Sequence, residues 1–354
     1  MKLDEIRGKI DKIDRELLVL LQERMGLALR SKKFKTNIND PVREEDLLAR
    51  AERLNLDLVE RSFTRQLLET IIQESKRLQE EERKLVAFQG EHGAYGEVAS
   101  RLLAPSGAYI PCMEFVDVFR GVEDGDLDLG VVPVENSLEG AVTQVNDLLT
   151  TTDLSVIGEI KVPVNHCLLA TRGTDYREIR VVYSHPQALA QCRGFLLRNN
   201  LEPHPFYDTA GAAKMLAREH PKAAAAIASD LCAELYDLDV IKAGIEDGAS
   251  NSTRFLLLSR EPHSGKGDKT SIIFAVPHEA GKLYDVLRLF AEAEINLTRI
   301  ASMPLRTDPS NYSFFLDFEG SRQDDAITEV LDKVEKLAIG MKCLGSYPAD
   351  PAGS

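Results

Sequence analysis

The sequence predicts a multidomain chain with three segments. These are an all-α three-helix domain over 1–84, a two-lobed α/β domain over 85–259 and an α+β ferredoxin-like domain over 270–347. Three observations carry this. The first segment has apolar residues at helical spacing, Pro41 as its only proline and Phe34 and Phe63 as its only aromatics. From Leu85 onward, short apolar runs alternate with helical stretches. After a stretch at 260–269 with Pro262, Gly265 and Gly267, the order strand, helix, strand, strand, helix, strand follows.

In the first segment Ile6, Ile10, Ile13, Leu17 and Leu20 recur at gaps of four and three, and the same seam continues through Arg24 and Leu27. A cation in an apolar seam needs an anionic partner. That partner is either a carboxylate side chain or a ligand held between helices. Lys35 lies eleven residues beyond Arg24, about three helical turns, so one face is expected to carry both. Arg7 precedes Arg24 by 17 residues, roughly 25 Å along a straight helix. It reaches the same small ligand only from a second copy of the chain. Three helices with so thin a core also look unable to stand alone, so an interlocked dimer is expected. Asp40-Pro41-Val42-Arg43-Glu44 opens the second helix, with the proline stopping the first. In the third, Leu68 and Ile72 set a spacing that Ser75 and Gln79 continue, so two polar side chains occupy an apolar face. Arg7, Arg24, Lys35, Asp40, Arg43, Glu44, Ser75 and Gln79 then form a polar pocket with four cations, no nucleophile–base pair and no metal set. It suits a dianion that is folded into one shape rather than attacked.

Strands of the second segment are expected at 85–89, 108–112, 127–132, 154–160, 166–170, 180–183, 203–206, 223–228, 240–243 and 255–258. Polar motifs stand where strands end, which is where open α/β sheets place ligands. Gly90-Glu91-His92-Gly93-Ala94-Tyr95-Gly96 is a glycine-rich turn able to cradle an anion, though His92 breaks a dinucleotide fingerprint. Val132-Pro133-Val134-Glu135-Asn136-Ser137 follows a strand. Ser184-His185-Pro186-Gln187 starts a helix, with Ser184 as its expected N-cap. Asp208-Thr209-Ala210-Gly211 reads as a helix N-terminus able to receive an anion. Asn251-Ser252-Thr253-Arg254 reads as a polar turn before a strand. In the third segment, strands are expected at 271–276, 296–303, 312–318 and 341–344, and helices at 281–293 and 322–337.

The bulk numbers exclude several functions. Hydrophobic content of 44% and charged content of 28% are those of a globular protein. No apolar run is long enough to cross a bilayer. Residues 1–84 carry 19 Lys+Arg against 18 Asp+Glu, a net +1, which leaves −15 of the total −14 on the remainder. Nucleic acid and anionic membrane are therefore not expected partners. Five scattered cysteines form no C-x-x-C pair, and Met1-Lys2-Leu3-Asp4 leads straight into helical sequence, so a cytoplasmic location is expected.

Over 4–83 the seam residues resemble the all-helical chorismate mutase family. The resemblance implies rearrangement of chorismate to prephenate. Arg7 of a partner subunit and Arg24 then bind the two carboxylates, and Lys35 and Gln79 flank the ether oxygen. Asp40 and Glu44 face the ring hydroxyl, Ser75 touches a carboxylate and Arg43 braces the set. Over 85–259 the motifs together resemble prephenate dehydratases. This implies two lobes like a periplasmic binding protein and loss of water and carbon dioxide from prephenate to give phenylpyruvate. By the same resemblance Thr253 is the proton donor or its positioner; a free hydroxyl is a poor acid, so Arg254, Asn251 or a helix end is expected to tune its surroundings. Glu135, Asn136, Ser184, Gln187 and Thr209 line the cleft. Gly96 stands where the family usually has serine. Residues 270–347 resemble an ACT domain, with Gly281, Leu283 and Ser302 at its regulatory site and phenylalanine as the family's effector. Ala301-Ser302-Met303-Pro304 lacks the family's acidic residue and arginine. A weakened response, a different ligand, no response, and a module that only dimerises all stay open. The resemblance implies no cofactor, no metal and a homodimer or higher homo-oligomer. A dehydratase with a purely dimerising helical segment and a non-catalytic sensor are the alternative functions.

Overall fold

The computed structural model describes residues 3–54, 57–248, 251–304 and 312–350, and divides into two compact units, 1–85 and 86–354. The first unit is three helices: α1 (Leu3–Ser31), α2 (Pro41–Glu52) and α3 (Arg61–Glu80). Helix α2 starts where the sequence predicts. Asp40 is its N-cap, accepting from Arg43 N at 3.1 Å, and Pro41 takes the first position, where a missing N–H costs nothing. Helix α1 departs from expectation. It ends at Ser31, a 3-10 turn follows over Lys32–Phe34, and Lys35 is extended. Pro41 therefore does not stop α1, and Lys35 does not share a helix face with Arg24. The core is as thin as expected: Leu29 and Leu48 are the only buried apolar side chains among the described residues of these three helices. The predicted seam is exposed, with Ile13 at 56% and Leu17 at 54%.

The second unit opens with β1 (Leu85–Gln89), α4 (Tyr95–Leu103), β2 (Ala108–Cys112), α5 (Phe115–Glu123), β3 (Leu129–Asn136), β4 (Gly140–Ala141), α6 (Thr143–Thr151) and β5 (Ser155–Pro163). The chain then crosses to a second lobe. This contains β6 (Cys167–Thr171), β7 (Val181–Ser184), α7 (Pro186–Gln191), α8 (Arg193–Arg198), β8 (Glu202–Pro205), α9 (Thr209–Glu219), β9 (Ala224–Ala228), α10 (Asp230–Tyr236) and β10 (Leu238–Ala243). It returns through β11 (Ser252–Ser259), which inserts into the first lobe. The first sheet runs β2-β1-β3-β11-β5, with β4 on β3; the second runs β10-β6-β9-β7-β8. This is the two-lobed, periplasmic-binding-protein-like arrangement. The alanines of β9 are all buried, which fits a central strand with helix α9 packed on it.

The unit ends with β12 (Lys269–Val276), α11 (Lys282–Glu292), β13 (Leu297–Pro304), β14 (Tyr312–Glu319), α12 (Asp325–Leu337) and β15 (Gly340–Tyr347). Its antiparallel sheet runs β13-β14-β12-β15, the order of a ferredoxin-like βαββαβ fold. Phe274, Phe290, Leu316 and Phe318 form its core. Helix α12 begins at Asp325 rather than 322.

Candidate active sites

In the helical unit, Arg24, Lys35, Asp40, Arg43, Glu44, Ser75 and Gln79 line one cavity of about 330 Å³. Seven of the eight expected residues thus come together within a single chain. Arg7, near the far end of α1, does not line it. Arg24 Nη1 donates to Ser75 Oγ at 2.6 Å, and Ser75 in turn donates to Ile71 O at 2.7 Å. Among the described residues no carboxylate pairs with Arg24, and burial lowers its pKa. A partly desolvated guanidinium that no carboxylate pairs with has donors to offer an anion. Gln79 is buried, and its Nε2 donates to Ala28 O at 2.5 Å and Ser31 Oγ at 3.1 Å. Glu44 is different, since Lys76 neutralises it at 2.8 Å. Asp40 spends one oxygen on the α2 cap.

In the second unit, a cleft of about 470 Å³ lies between the lobes. It brings together Asn136, Gln187, Thr209, Asn251 and Thr253, five of the eight residues expected there. Asn136 and Thr253 are cross-strand partners on β3 and β11. Asn136 Nδ2 donates to Thr253 Oγ1 at 3.0 Å and to Asn251 Oδ1 at 2.7 Å. Thr253 therefore lies within a strand, not in a turn before one. Its hydroxyl oxygen accepts from Asn136, which leaves its proton free to donate into the cleft.

Three expected residues lie elsewhere. Ser184 is buried, and its Oγ donates to Ile227 O at 2.7 Å; the N-cap of α7 is His185. Glu135 turns from the cleft and pairs with Arg299 at 2.8 Å, because neighbours on a strand face opposite ways. Arg254 is buried against Glu159 and Asp317 for the same reason. The two anion cradles also differ from expectation. Gly93 N–H is taken by Glu97 Oε2 at 2.9 Å, and the N-terminus of α9 is capped by Asp208, whose Oδ1 accepts from Gly211 N at 2.8 Å. Gly93 has φ +92 and would meet Cys232 Sγ at 2.5 Å with any side chain, so glycine is required there for packing and turning.

Sequence reasoning passed over three cleft residues. His166 Nε2 lies 2.8 Å from Gln191 Oε1, which also accepts from Asn251 Nδ2 at 3.4 Å. Gln191 is an acceptor for the amide, so Nε2 of neutral His166 is the donor. Burial lowers the His166 pKa, which favours its neutral form. Asp208 also lines the cleft, and burial raises its pKa. Nothing in the local sequence marked His166 or Gln191. Asp208 was legible only as a cap. Among the described residues lining the cleft, Glu139 and Asp208 are acidic and none is lysine or arginine.

Residues 86–263 match the prephenate dehydratase family and residues 6–80 match type II chorismate mutase. A bifunctional chorismate mutase/prephenate dehydratase of Aquifex aeolicus is 35% identical over 98% of both chains. The chain belongs to this bifunctional family. It rearranges chorismate to prephenate and converts prephenate to phenylpyruvate, in phenylalanine biosynthesis. An Arabidopsis thaliana protein named arogenate dehydratase/prephenate dehydratase 2, chloroplastic, is 42% identical over 75% of this chain and 73% of its own length. A solved prephenate dehydratase of Arthrobacter aurescens in complex with L-Phe is 31% identical, with a TM-score of 0.68 over 75% of this chain and 89% of that one. In this chain, among the described residues, no helix is long and apolar enough to cross a membrane.

Proposed function

We propose the following division of labour between the two sites. In the helical unit, Arg24, positioned by its hydrogen bond to Ser75, holds one substrate carboxylate with Ser75 beside it, and Arg7 of a second copy holds the other. The exposed apolar seam of α1 supports that second copy, since water-facing isoleucines and leucines at helical spacing fit a partner helix. Lys35 donates to the ether oxygen as its bond to carbon breaks, Gln79 flanks that oxygen and donates to it once its Nε2 gives up Ala28 O or Ser31 Oγ, Asp40 and Glu44 face the ring hydroxyl and Arg43 braces the cavity. No bond to protein forms. The rate comes from holding the compact conformer and from fixed donors at the developing negative charge.

In the cleft, Thr253 delivers a proton to the leaving hydroxyl. The C–O bond breaks, water departs, and the electron pair of the C–carboxylate bond moves into the ring as carbon dioxide leaves. Aromatisation drives the step, so the protein needs only to orient and to donate. A hydroxyl is a weak acid. Asp208, on the same cleft and held toward its protonated form, is the reservoir we assign to it. Asn251, Gln187 and Thr209 orient the substrate. The observation that carries this reading is the meeting of Asn136, Asn251 and Thr253, from segments 115 residues apart, at one hydrogen-bonded point.

The last module is read as an ACT domain. Gly281 sits at φ +89 as the N-cap of α11 with open space beside it, Leu283 packs on the core below, and Ser302 is exposed on β13. Phenylalanine is the effector to test, supported by the Arthrobacter aurescens complex. Five free cysteines support a reducing, cytoplasmic setting. A second substrate is favoured by the cleft itself: Glu139 with no lysine or arginine beside it suits a substrate that carries an ammonium group, and the Arabidopsis relative is named for arogenate as well as prephenate.

Purified Arg24→Ala and Thr253→Ala variants, assayed with chorismate, prephenate and arogenate, test the assignment. Arg24→Ala is expected to lose about 10²–10³-fold of mutase turnover alone, and Thr253→Ala a similar factor of dehydratase turnover alone. Equal loss of both activities in either variant refutes separate sites.

A further inference from the structure

Behind the cleft, two sheets exchange charges. Thr253 and Asn136 face the substrate; their strand neighbours Arg254 and Glu135 face the opposite way and are themselves cross-strand partners on β11 and β3. Both meet the last module. On its sheet, Arg299 of β13 and Asp317 of β14 are again cross-strand partners. The pairs join crosswise: Arg254 Nη1 to Asp317 Oδ2 at 2.5 Å, and Arg299 Nε to Glu135 Oε2 at 2.8 Å. Each member of the hydrogen-bonded Thr253–Asn136 pair is thus one residue from an anchor in another module.

The two anchors are built differently. Arg254 is fully used. Its Nε donates to Glu159 at 2.7 Å and its Nη2 to Tyr347 Oη at 3.2 Å, while Ser271 supports Asp317 at 2.5 Å. Every group in this set is buried. Arg299 is also buried, at 8% exposure, yet its Nη1 and Nη2 have no hydrogen-bond partner among the described residues. Its guanidinium lies 4.4 Å from the Phe315 ring centre, on its own module. Glu135 is partly open to water. A buried ion pair with spare donors on one side and a hydrated carboxylate on the other is the easier of the two to open. When it opens, the ring keeps Arg299 on the last module, and β3 alone is released.

We propose that Arg299 and Asp317 are positioning residues for the dehydratase reaction. Through Glu135 and Arg254 they hold Asn136 against Thr253, with the Arg254 set as the fixed pivot and Arg299–Glu135 as the releasable arm. This rests on the reading of Thr253 as proton donor.

The test is a double-mutant cycle on the full chain, with prephenate as substrate: Arg299→Ala, Glu135→Gln, the double variant and Arg299→Lys. The expected result is a fall in kcat of about tenfold in each single variant, with KM within roughly twofold, and no further fall in the double variant. Arg299→Lys keeps the charge and one donor and is expected to retain most of kcat. A residue that merely stabilises the fold changes melting temperature and leaves kcat of the folded fraction intact. The proposal is overturned by single-variant kcat within roughly twofold of the parent, by additive losses in the double variant, or by a change confined to KM. Thr253→Ala is run alongside. Retained turnover there overturns the proton-donor reading itself, whereas loss there with an unaffected Arg299→Ala overturns only the positioning role.

Discussion

Replacing Arg254 by methionine separates a framework role from a substrate-contact role. The arginine, Glu159 and Asp317 are all buried. Burial alone would lower the arginine pKa, but Asp317, Tyr347 and Glu159 more than offset it and hold it above its usual value. Removing one partner of a buried ion pair typically costs about 3–5 kcal/mol, because the other charge is left without compensation. Here compensation is partial. Lys269 still holds Glu159 at 2.8 Å, and Ser271 still donates to Asp317 at 2.5 Å. The cost therefore sits near the lower end, about 3 kcal/mol. For a folding unit of this size that corresponds to a fall in Tm of about 6–12 °C. Differential scanning calorimetry of the full chain reads it, and prephenate kinetics at a temperature where the variant is folded complete the picture. The expected pattern is the large Tm loss with KM unchanged. A Tm within about 2 °C of the parent, together with a large rise in KM, would refute the buried network and return Arg254 to the cleft.

Three further outcomes follow from the geometry. Asp208→Asn removes the carboxyl held toward its protonated form; dehydratase kcat is expected to fall, and the loss of parental activity as pH rises through that raised pKa is expected to vanish from the variant's pH profile. The same group, protonated more readily when folded, contributes stability that is present below its unfolded value of 3.8 and lost as pH rises through the folded one. Glu97 runs the other way. Burial pushes its pKa up, but His92, Gly93 N–H and Arg101 together pull it below the usual range. Its contribution is present above 4.5 and lost as pH falls through the folded value. Melting curves between neutral and acid pH are expected to show the parent's advantage over Glu97→Gln shrinking below that point; a constant gap contradicts it. Ile13→Asp places a charge on the exposed seam of α1. Sedimentation is expected to show dissociation together with loss of mutase turnover, and a variant that remains associated and active removes the case for a shared mutase site.

Local chemistry was legible in the sequence and long-range pairing was not. Asp40-Pro41 announced α2 because capping is decided within four residues. Ser75 and Gln79 stood out because a polar side chain on an apolar helix face is visible from spacing alone, and both are buried. Lys35 was misplaced because α1 stops at Ser31 without a glycine or proline to mark it. The run Asn251 to Arg254 reads as a turn on its own, yet β5 pairs with it from Ser252 and β3 from Thr253, which makes all but Asn251 strand. Arg254 and Glu135 look like cleft residues because their strand neighbours are. Only the position of Asp317, 63 residues further on, and of Arg299 reveals the other face. His166 and Gln191 carry no local signal, since their part is given by meeting across the cleft.

The strand order of the first lobe sets a schedule for synthesis. β11 lies between β3 and β5, so β5 has no strand partner in this sheet, and β3 lacks the second of its long neighbours, until residues 252–259 have left the ribosome. The second lobe, contiguous from β6 to β10, is complete earlier and can fold while the first waits with two open edges. Any nascent chain halted before residue 252 therefore presents unpaired strands, prone to aggregate, and carries no Thr253.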